Sequence, residues 1–217
     1  GHVDTNSRLC MSSAVAGYKR AFGTDAVSCN YEDLEQSDLL ILTGSNAAWT
    51  HPVLYRRMAE AKAANPNLKI VVIDPRRTAT CDLADLHLAI APGSDQFIFT
   101  GLLHYLASNG FTDSQYIDKH TQGFGEAIAN ASTATLDNVA VQAGLNSDQL
   151  NTFYQWFAET DKAITFYSQG INQSATGTKN RNASTHYQTS TGPHGRDGCG
   201  RVSRSGEPNA RVGRAGG

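Results

Sequence analysis

Apolar positions along the chain follow two kinds of pattern, and the two take turns. Asp38-Leu-Leu-Ile-Leu-Thr43 and Lys69-Ile-Val-Val-Ile73 are continuous apolar runs, each closed by a turn, Gly44-Ser45-Asn46 after the first and Asp74-Pro75 after the second. Short unbroken runs of this kind predict strands buried on both faces of a parallel sheet. Leu86 to Ala91 predicts a third strand and Ala163-Ile-Thr-Phe-Tyr167 a fourth, which ends in Ser168-Gln169-Gly170. Between them the apolar period lengthens to that of a helix. Met11 to Phe22 predicts one helix, with Ser12 or Ser13 as its cap and Gly23 at its end. His51 to Ala64 predicts another, with Leu54, Met58 and Ala61 on one face, Pro52 in its first turn and Pro66 beyond its end. Pro92-Gly93-Ser94-Asp95 opens a third, capped by Ser94 or Asp95, with Phe97, Ile98, Leu102 and Leu106 as its apolar face and Gly110 as its stop. Further helices are expected over about 123–131, 136–143 and 147–159; the last carries Leu150, Phe153, Tyr154 and Phe157 as core.

This alternation predicts an α/β fold, a parallel sheet with helices on both faces. In such sheets ligands bind beyond the carboxyl ends of the strands. That rule directs attention to residues 44–50, 74–78, 92–95 and 168–173.

The pattern stops near residue 173. Of the 44 residues in 174–217 only eight are apolar, too few to offset the entropy of ordering the segment, so a poorly ordered tail is expected after a folded region spanning 1–173. Charge divides at the same place. The tail's seven basic and two acidic residues give +5, which leaves −7 for the rest of a chain whose net charge is −2. An acidic body argues against nucleic acid as a partner. No apolar run approaches the roughly 20 residues of a membrane helix, so no membrane partner is expected. The four cysteines, at 10, 29, 81 and 199, form no CxxC pair, which excludes a zinc ribbon or a dithiol motif.

Each strand-end loop has an ordinary structural reading and a chemical one. Gly44-Ser45-Asn46 lacks the lysine of a P-loop, yet its N–H groups and side chains suit a phosphate as well as a plain turn. Asp74 could accept from a ribose diol or from guanine donors, or simply end a strand; Arg76 and Arg77 suit bidentate phosphate contacts or solvent. Gly93-Ser94-Asp95 reads as a helix cap or a purine contact. Cys10, just ahead of a helix, is either a buried inert thiol or a thiolate fit for a soft metal. His51, His87 and His104 show no ligand spacing and are expected to be structural.

Taken together and in order, the motifs are more specific. Asp4-Thr-Asn-Ser-Arg-Leu-Cys-Met-Ser-Ser-Ala-Val-Ala-Gly-Tyr-Lys-Arg-Ala21 closely resembles the molybdenum-ligand segment of bacterial assimilatory nitrate reductases, within the prokaryotic molybdopterin oxidoreductases. Leu42-Thr-Gly-Ser-Asn-Ala-Ala-Trp-Thr-His-Pro-Val-Leu54, Val72-Ile-Asp-Pro-Arg-Arg-Thr78, Gly93-Ser-Asp95 and Ser168-Gln-Gly-Ile-Asn-Gln173 resemble that family's further cofactor loops. The resemblance implies a Rossmann-like dinucleotide-binding domain and a bis(molybdopterin guanine dinucleotide) molybdenum cofactor. It implies Cys10 as the metal ligand and Asn6 beside the pterin. Thr43, Gly44, Ser45, Asn46, Asp74, Pro75, Arg76, Arg77 and Thr78 would line one dinucleotide, completed by Gly93, Ser94 and Asp95, with Gln169 and Gln173 bordering metal and pterin. The implied reaction reduces nitrate to nitrite by oxygen-atom transfer to the cofactor, with electrons from a donor protein or domain.

Periplasmic nitrate reductases share Asn6, Cys10 and the Gly44-Ser45-Asn46 turn but differ at Asp74-Pro-Arg-Arg, so the likeness implies the cytoplasmic branch. A formate dehydrogenase-type enzyme is the neighbouring reading. The family's cysteine cluster for a [4Fe–4S] centre does not occur here, nor does the domain that holds the second half of the cofactor, so the chain is expected to be an incomplete part of such an enzyme, inactive by itself and keeping at most a nucleotide-shaped groove. Asn182-Ala-Ser-Thr-His-Tyr-Gln-Thr-Ser-Thr191 stands where the family has an apolar helix.

Overall fold

The computed structural model describes residues 12–24, 30–174 and 200–203. Cys10, Asn6 and most of the tail expected to be poorly ordered lie outside them.

Four strands match the pattern closely: β1 (Leu39–Thr43), β2 (Lys69–Ile73), β3 (Leu86–Leu88) and β4 (Ala163–Tyr167). Four residues of the tail, Gly200–Ser203, add β5 in register with Ile164–Tyr167 of β4. Every pairing is parallel, and the order is β3-β2-β1-β4-β5. β3 is shorter than expected. After Leu88 the chain leaves the sheet: the Ile90 N–H turns back to the Leu88 carbonyl, and the Ala91 N–H reaches the Ala143 carbonyl.

The helices are α1 (Ser12–Phe22), α2 (Asp33–Gln36), α3 (Ala47–Thr50), α4 (Pro52–Ala64), α5 (Asp95–Ser108), α6 (Ser114–His120), α7 (Phe124–Ala131), α8 (Leu136–Ala143), α9 (Ser147–Ala158) and α10 (Gln169–Asn172), with a 3-10 turn at Ala79–Leu83. Their limits follow local chemistry. Pro52 opens α4, where its missing N–H costs nothing. The side chains of Asp113, Thr135 and Asn146 cap α6, α8 and α9.

Alternate residues of the strands feed two separate cores. Leu39, Ile41, Val71, Ile73 and Leu88 face one way, onto Ile98, Phe99, Leu102 and Leu106 of α5 and Leu150, Phe153 and Tyr154 of α9. Leu40, Leu42, Ile70, Val72, Ile164 and Phe166 face the other way, onto Leu54, Met58 and Ala61 of α4. Each such side chain taken fully out of water contributes about 1.5–3 kcal/mol, so both faces of the sheet hold the strands in place. α5 is buried more widely than a single stripe, at Phe99, Gly101 and Leu103 as well, because it packs on the sheet and also against α7, α8 and α9. Its Ile98 carbonyl accepts the buried Tyr154 hydroxyl at 2.8 Å.

Since all strands are parallel, their carboxyl ends share one edge. From β1 the chain winds through β2 to β3, then returns to place β4 on the other side of β1. The winding direction therefore reverses between β1 and β4, and the turns after those two strands flank the reversal.

Candidate functional site

The turn after β1 and the turn after β4 are in backbone contact. The Gly170 N–H donates to the Gly44 carbonyl at 3.0 Å, and the Gly44 N–H donates to Ile73 at the end of β2, also at 3.0 Å. Gly44 has φ +54, in the left-handed region that favours glycine. α1 packs against α10, which brings that helix to the same edge.

Two hydroxyls at this edge are buried without a hydrogen-bond partner among the described residues: Thr43 Oγ1, on a residue 1% exposed, and Ser45 Oγ, on one 2% exposed. A buried hydroxyl left unpaired costs about 1–3 kcal/mol, so its retention points to a polar group that meets it.

Asn46 is held from a distance. Thr80 Oγ1 donates to Asn46 Oδ1 at 3.1 Å and accepts from the Ala48 N–H at 3.2 Å. Thr80 thus does for α3 what the Asn46 side chain does not, and it fixes where the Asn46 amide points. Reading the sequence alone misses Thr80, because its partners lie more than thirty positions away. A Thr80→Val variant keeps the shape and removes both bonds. The expected result is a loss of about 1–3 kcal/mol, read as a lower urea midpoint with unchanged slope.

Two carboxylates approach from neighbouring elements. Asp74, directly after β2, is 8% exposed; its Oδ1 accepts the Arg76 N–H at 2.9 Å, and its backbone carbonyl meets His87 Nε2 at 3.0 Å. Asp95, the first residue of α5, is 7% exposed. Burial pushes its carboxyl up to about 6, and the Asp74 charge adds to that, while its own N–H and the nearby Thr43 hydroxyl act in the opposite sense. Thr43 lies near enough to favour the Asp95 carboxylate but does not form a hydrogen bond of normal geometry with it. Neither carboxylate has an ion pair among the described residues.

The remaining expected residues divide. Pro75, Arg76 and Arg77 are exposed, and neither arginine pairs with a carboxylate among the described residues. Thr78 is half-buried, and its side chain caps the 3-10 turn by accepting the Thr80 N–H. Gly93 is exposed with φ +84. Ser94 stands at the cap position of α5, but its hydroxyl donates to the Ala91 carbonyl at 2.6 Å, so it does not cap the helix with its side chain. Gln169 is half-buried at the start of α10, and Gln173 is exposed just after it. His51 lies edge-on to Phe166, with ring centres 5.6 Å apart. Among the described residues no group of three His, Cys, Asp or Glu side chains could hold a metal ion.

Parallel strands with helices on both faces and a reversal of winding at β1 and β4 define an open α/β domain of the kind that takes ligands beyond the carboxyl ends of its strands. The chain belongs to the molybdopterin oxidoreductase family, whose family model matches residues 1–210. It is 53% identical over 213 residues to a nitrate reductase of Klebsiella oxytoca, covering 98% of this chain and 24% of that protein. It is 50% identical to a nitrate reductase of Shewanella frigidimarina, over 98% of this chain and 23% of that protein. A nitrate reductase of Synechocystis is 40% identical over the whole chain, which spans 30% of that relative. The chain thus spans between 23% and 30% of these relatives' lengths. In structure it is similar to acetylene hydratase from Pelobacter acetylenicus, with a TM-score of 0.74 at 20% identity, over 87% of this chain and 26% of that one. This second likeness concerns the fold.

Proposed function

We propose that this chain is part of a molybdenum-dependent nitrate reductase that reduces nitrate to nitrite on a bis(molybdopterin guanine dinucleotide) cofactor. The observation that carries the reading is its 53%, 50% and 40% identity, over nearly its whole length, to three relatives named nitrate reductase. The paired-off edge of the sheet supports the cofactor half of the proposal. The Thr43 and Ser45 hydroxyls are buried and unpartnered, two buried carboxylates stand beside them, and two arginines lie exposed at the rim.

In this reading Gly44, Ser45 and Asn46 hold a phosphate, with Thr80 fixing Asn46. Arg76 and Arg77 take phosphate oxygens from outside, as guanidinium forks do. Asp74 and Asp95 accept from the ribose diol and the base, Gly93 and Ser94 shape the turn around them, and Pro75 and Thr78 set the course of the chain between. Gln169 and Gln173 border the pterin. Asn6 lies beside the pterin and Cys10 supplies a thiolate to molybdenum. The bound cofactor supplies the two-electron chemistry that removes one oxygen of nitrate as water, with two protons, and leaves nitrite. Electrons arrive through an iron–sulfur centre and a donor protein or domain outside this chain. A cytoplasmic location goes with the assimilatory reading; among the described residues no helix is long and apolar enough to cross a membrane.

The test uses the full-length polypeptide that contains this chain, purified with its cofactor. Nitrite formed from nitrate with a reduced viologen donor, together with stoichiometric molybdenum and guanine nucleotide, is the expected result. Turnover of formate with none of nitrate would reassign the enzyme, and a protein without molybdenum or nucleotide would sink the proposal.

A further inference from the structure

α3 and α4 meet at His51. Its backbone N–H donates to the Ala47 carbonyl and its carbonyl accepts the Tyr55 N–H, each at 2.9 Å. The residue thereby closes one helix and opens the next, yet its ring does not cap α4. The ring stands edge-on to Phe166 of β4, and its Nδ1 lies 2.8 Å from the Thr50 hydroxyl. That hydroxyl is also 3.0 Å from the Asn46 carbonyl oxygen.

One proton decides which way this chain of bonds runs. A threonine hydroxyl carries a single proton, a carbonyl carries none, and a neutral imidazole nitrogen is a donor or an acceptor according to tautomer. If the hydroxyl gave its proton to Nδ1, its oxygen would face the Asn46 carbonyl oxygen at 3.0 Å with no proton between two acceptors. If it gives the proton to Asn46, Nδ1 must bring one of its own, and both contacts become hydrogen bonds.

We propose that His51 is a positioning residue: it holds the Nδ1–H tautomer and, through the Thr50 hydroxyl, fixes the Asn46 carbonyl at the turn after β1. The same carbonyl accepts the Trp49 and Thr50 N–H groups, at 3.0 and 2.9 Å, so three donors converge on it. α3 has only four residues, too few to hold a helix by itself, and this convergence ties it to its first carbonyl. The Phe166 edge restricts rotation of the ring, so the Nδ1–H is aimed as well as present. Thr80 fixes the Asn46 side chain, while His51 and Thr50 fix its backbone. The consequence for function rests on the reading of Asn46 as a cofactor contact: with its backbone loosened, Asn46 holds the cofactor less firmly.

The experiment uses the full-length protein with its cofactor, labelled with nitrogen-15 at histidine and kept at pH 8.5, where an ordinary imidazole is neutral. Nε2 couples to both ring C–H protons and Nδ1 mainly to one, which tells the nitrogens apart; the His51 signals are those missing from His51→Asn. A protonated Nδ1 and a bare Nε2 are expected in the wild type, and the reverse pattern overturns the proposal. The rate at which guanine nucleotide leaves the protein tests the positioning. An asparagine amide nitrogen stands where Nδ1 stood, and a glutamine one where Nε2 stood. His51→Asn is therefore expected to release nucleotide like the wild type, and His51→Gln about three- to tenfold faster, the factor carried by one ordinary hydrogen bond. Equal rates in the two variants overturn the positioning role, since a histidine that serves packing alone would give them. Should His51→Gln fail to fold, the comparison moves to the acceptor, where Thr50→Ser is expected to release slowly and Thr50→Val fast, and equal rates again overturn the role. A wild-type protein that carries no guanine nucleotide removes the cofactor reading and the positioning role together, whichever tautomer the ring shows.

Discussion

Replacing Gly170 with alanine is expected to lower stability by about 2–4 kcal/mol and to strip the full-length protein of most of its cofactor. A Cβ on Gly170 would stand 2.6 Å from the Gly44 Cα and 2.8 Å from the Gly44 carbonyl oxygen. The reverse substitution meets the same wall: a Cβ on Gly44 would stand 2.8 Å from the Ile171 nitrogen and 2.9 Å from the Gly170 Cα. All of these neighbours are backbone atoms, so no side chain can swing aside. Relief requires the turns after β1 and β4 to separate, but they are tied by the Gly170–Gly44 hydrogen bond and by five residue pairs in register between the strands. Gly44→Ala is expected to be worse than Gly170→Ala, because it adds the strain of a side chain at φ +54. Calorimetric melting and molybdenum content of the two variants check this. Wild-type stability in Gly170→Ala would mean that the turns are not in tight contact and that the edge between β1 and β4 is looser than described.

The fold was largely legible because its strands are buried on both faces. Continuous runs such as Leu39–Leu42 and Ile70–Ile73 admit few other readings, and α4 and α9 announced themselves by helical spacing of residues that all prove buried, Leu54, Met58 and Ala61 in one, Leu150, Phe153, Tyr154 and Phe157 in the other. Short elements were not legible. α2, α3, α10 and the 3-10 turn at Ala79–Leu83 each contain at most five residues, too few to show a period. α6 has seven residues with only Ile117 buried, so it carries almost no apolar face to read. β5 arises in a segment poor in apolar residues because an edge strand needs only backbone groups and a partner already in place, here β4.

The site divides along similar lines. The strand-end rule was enough to select the loops that meet at the edge. What it could not give was the arrangement among them. Asp74 and Asp95 are 21 positions apart, and their mutual influence depends on α5 starting beside the ends of β1 and β2. Ser94 looked like a cap by residue type, but the Ala91 carbonyl competes for its hydroxyl and wins. Thr80 carries no signal of its own beyond a place in a polar turn.

On the proposed reading, the Cys10→Ala variant of the full-length protein is expected to lose nitrate reduction by more than about 100-fold, which is the upper end of what loss of a mere supporting group around a metal costs. A thiolate is a ligand suited to a soft metal, and alanine offers nothing in its place. Cys10 lies two positions ahead of α1, whose Ala14, Gly17 and Tyr18 are buried and which packs against α10 at the edge where Gly44 and Gly170 meet. These residues anchor the helix, so the variant is expected to melt like the wild type while its chemistry fails. Three readouts separate a ligand from a structural thiol. Molybdenum content reports retention of the metal, X-ray absorption at the molybdenum edge should lose one sulfur neighbour, and the melting temperature should stay put. A variant with full metal, an unchanged sulfur shell and ordinary turnover would take Cys10 out of the coordination sphere, and the nitrate reductase reading would then need another ligand from outside the residues described.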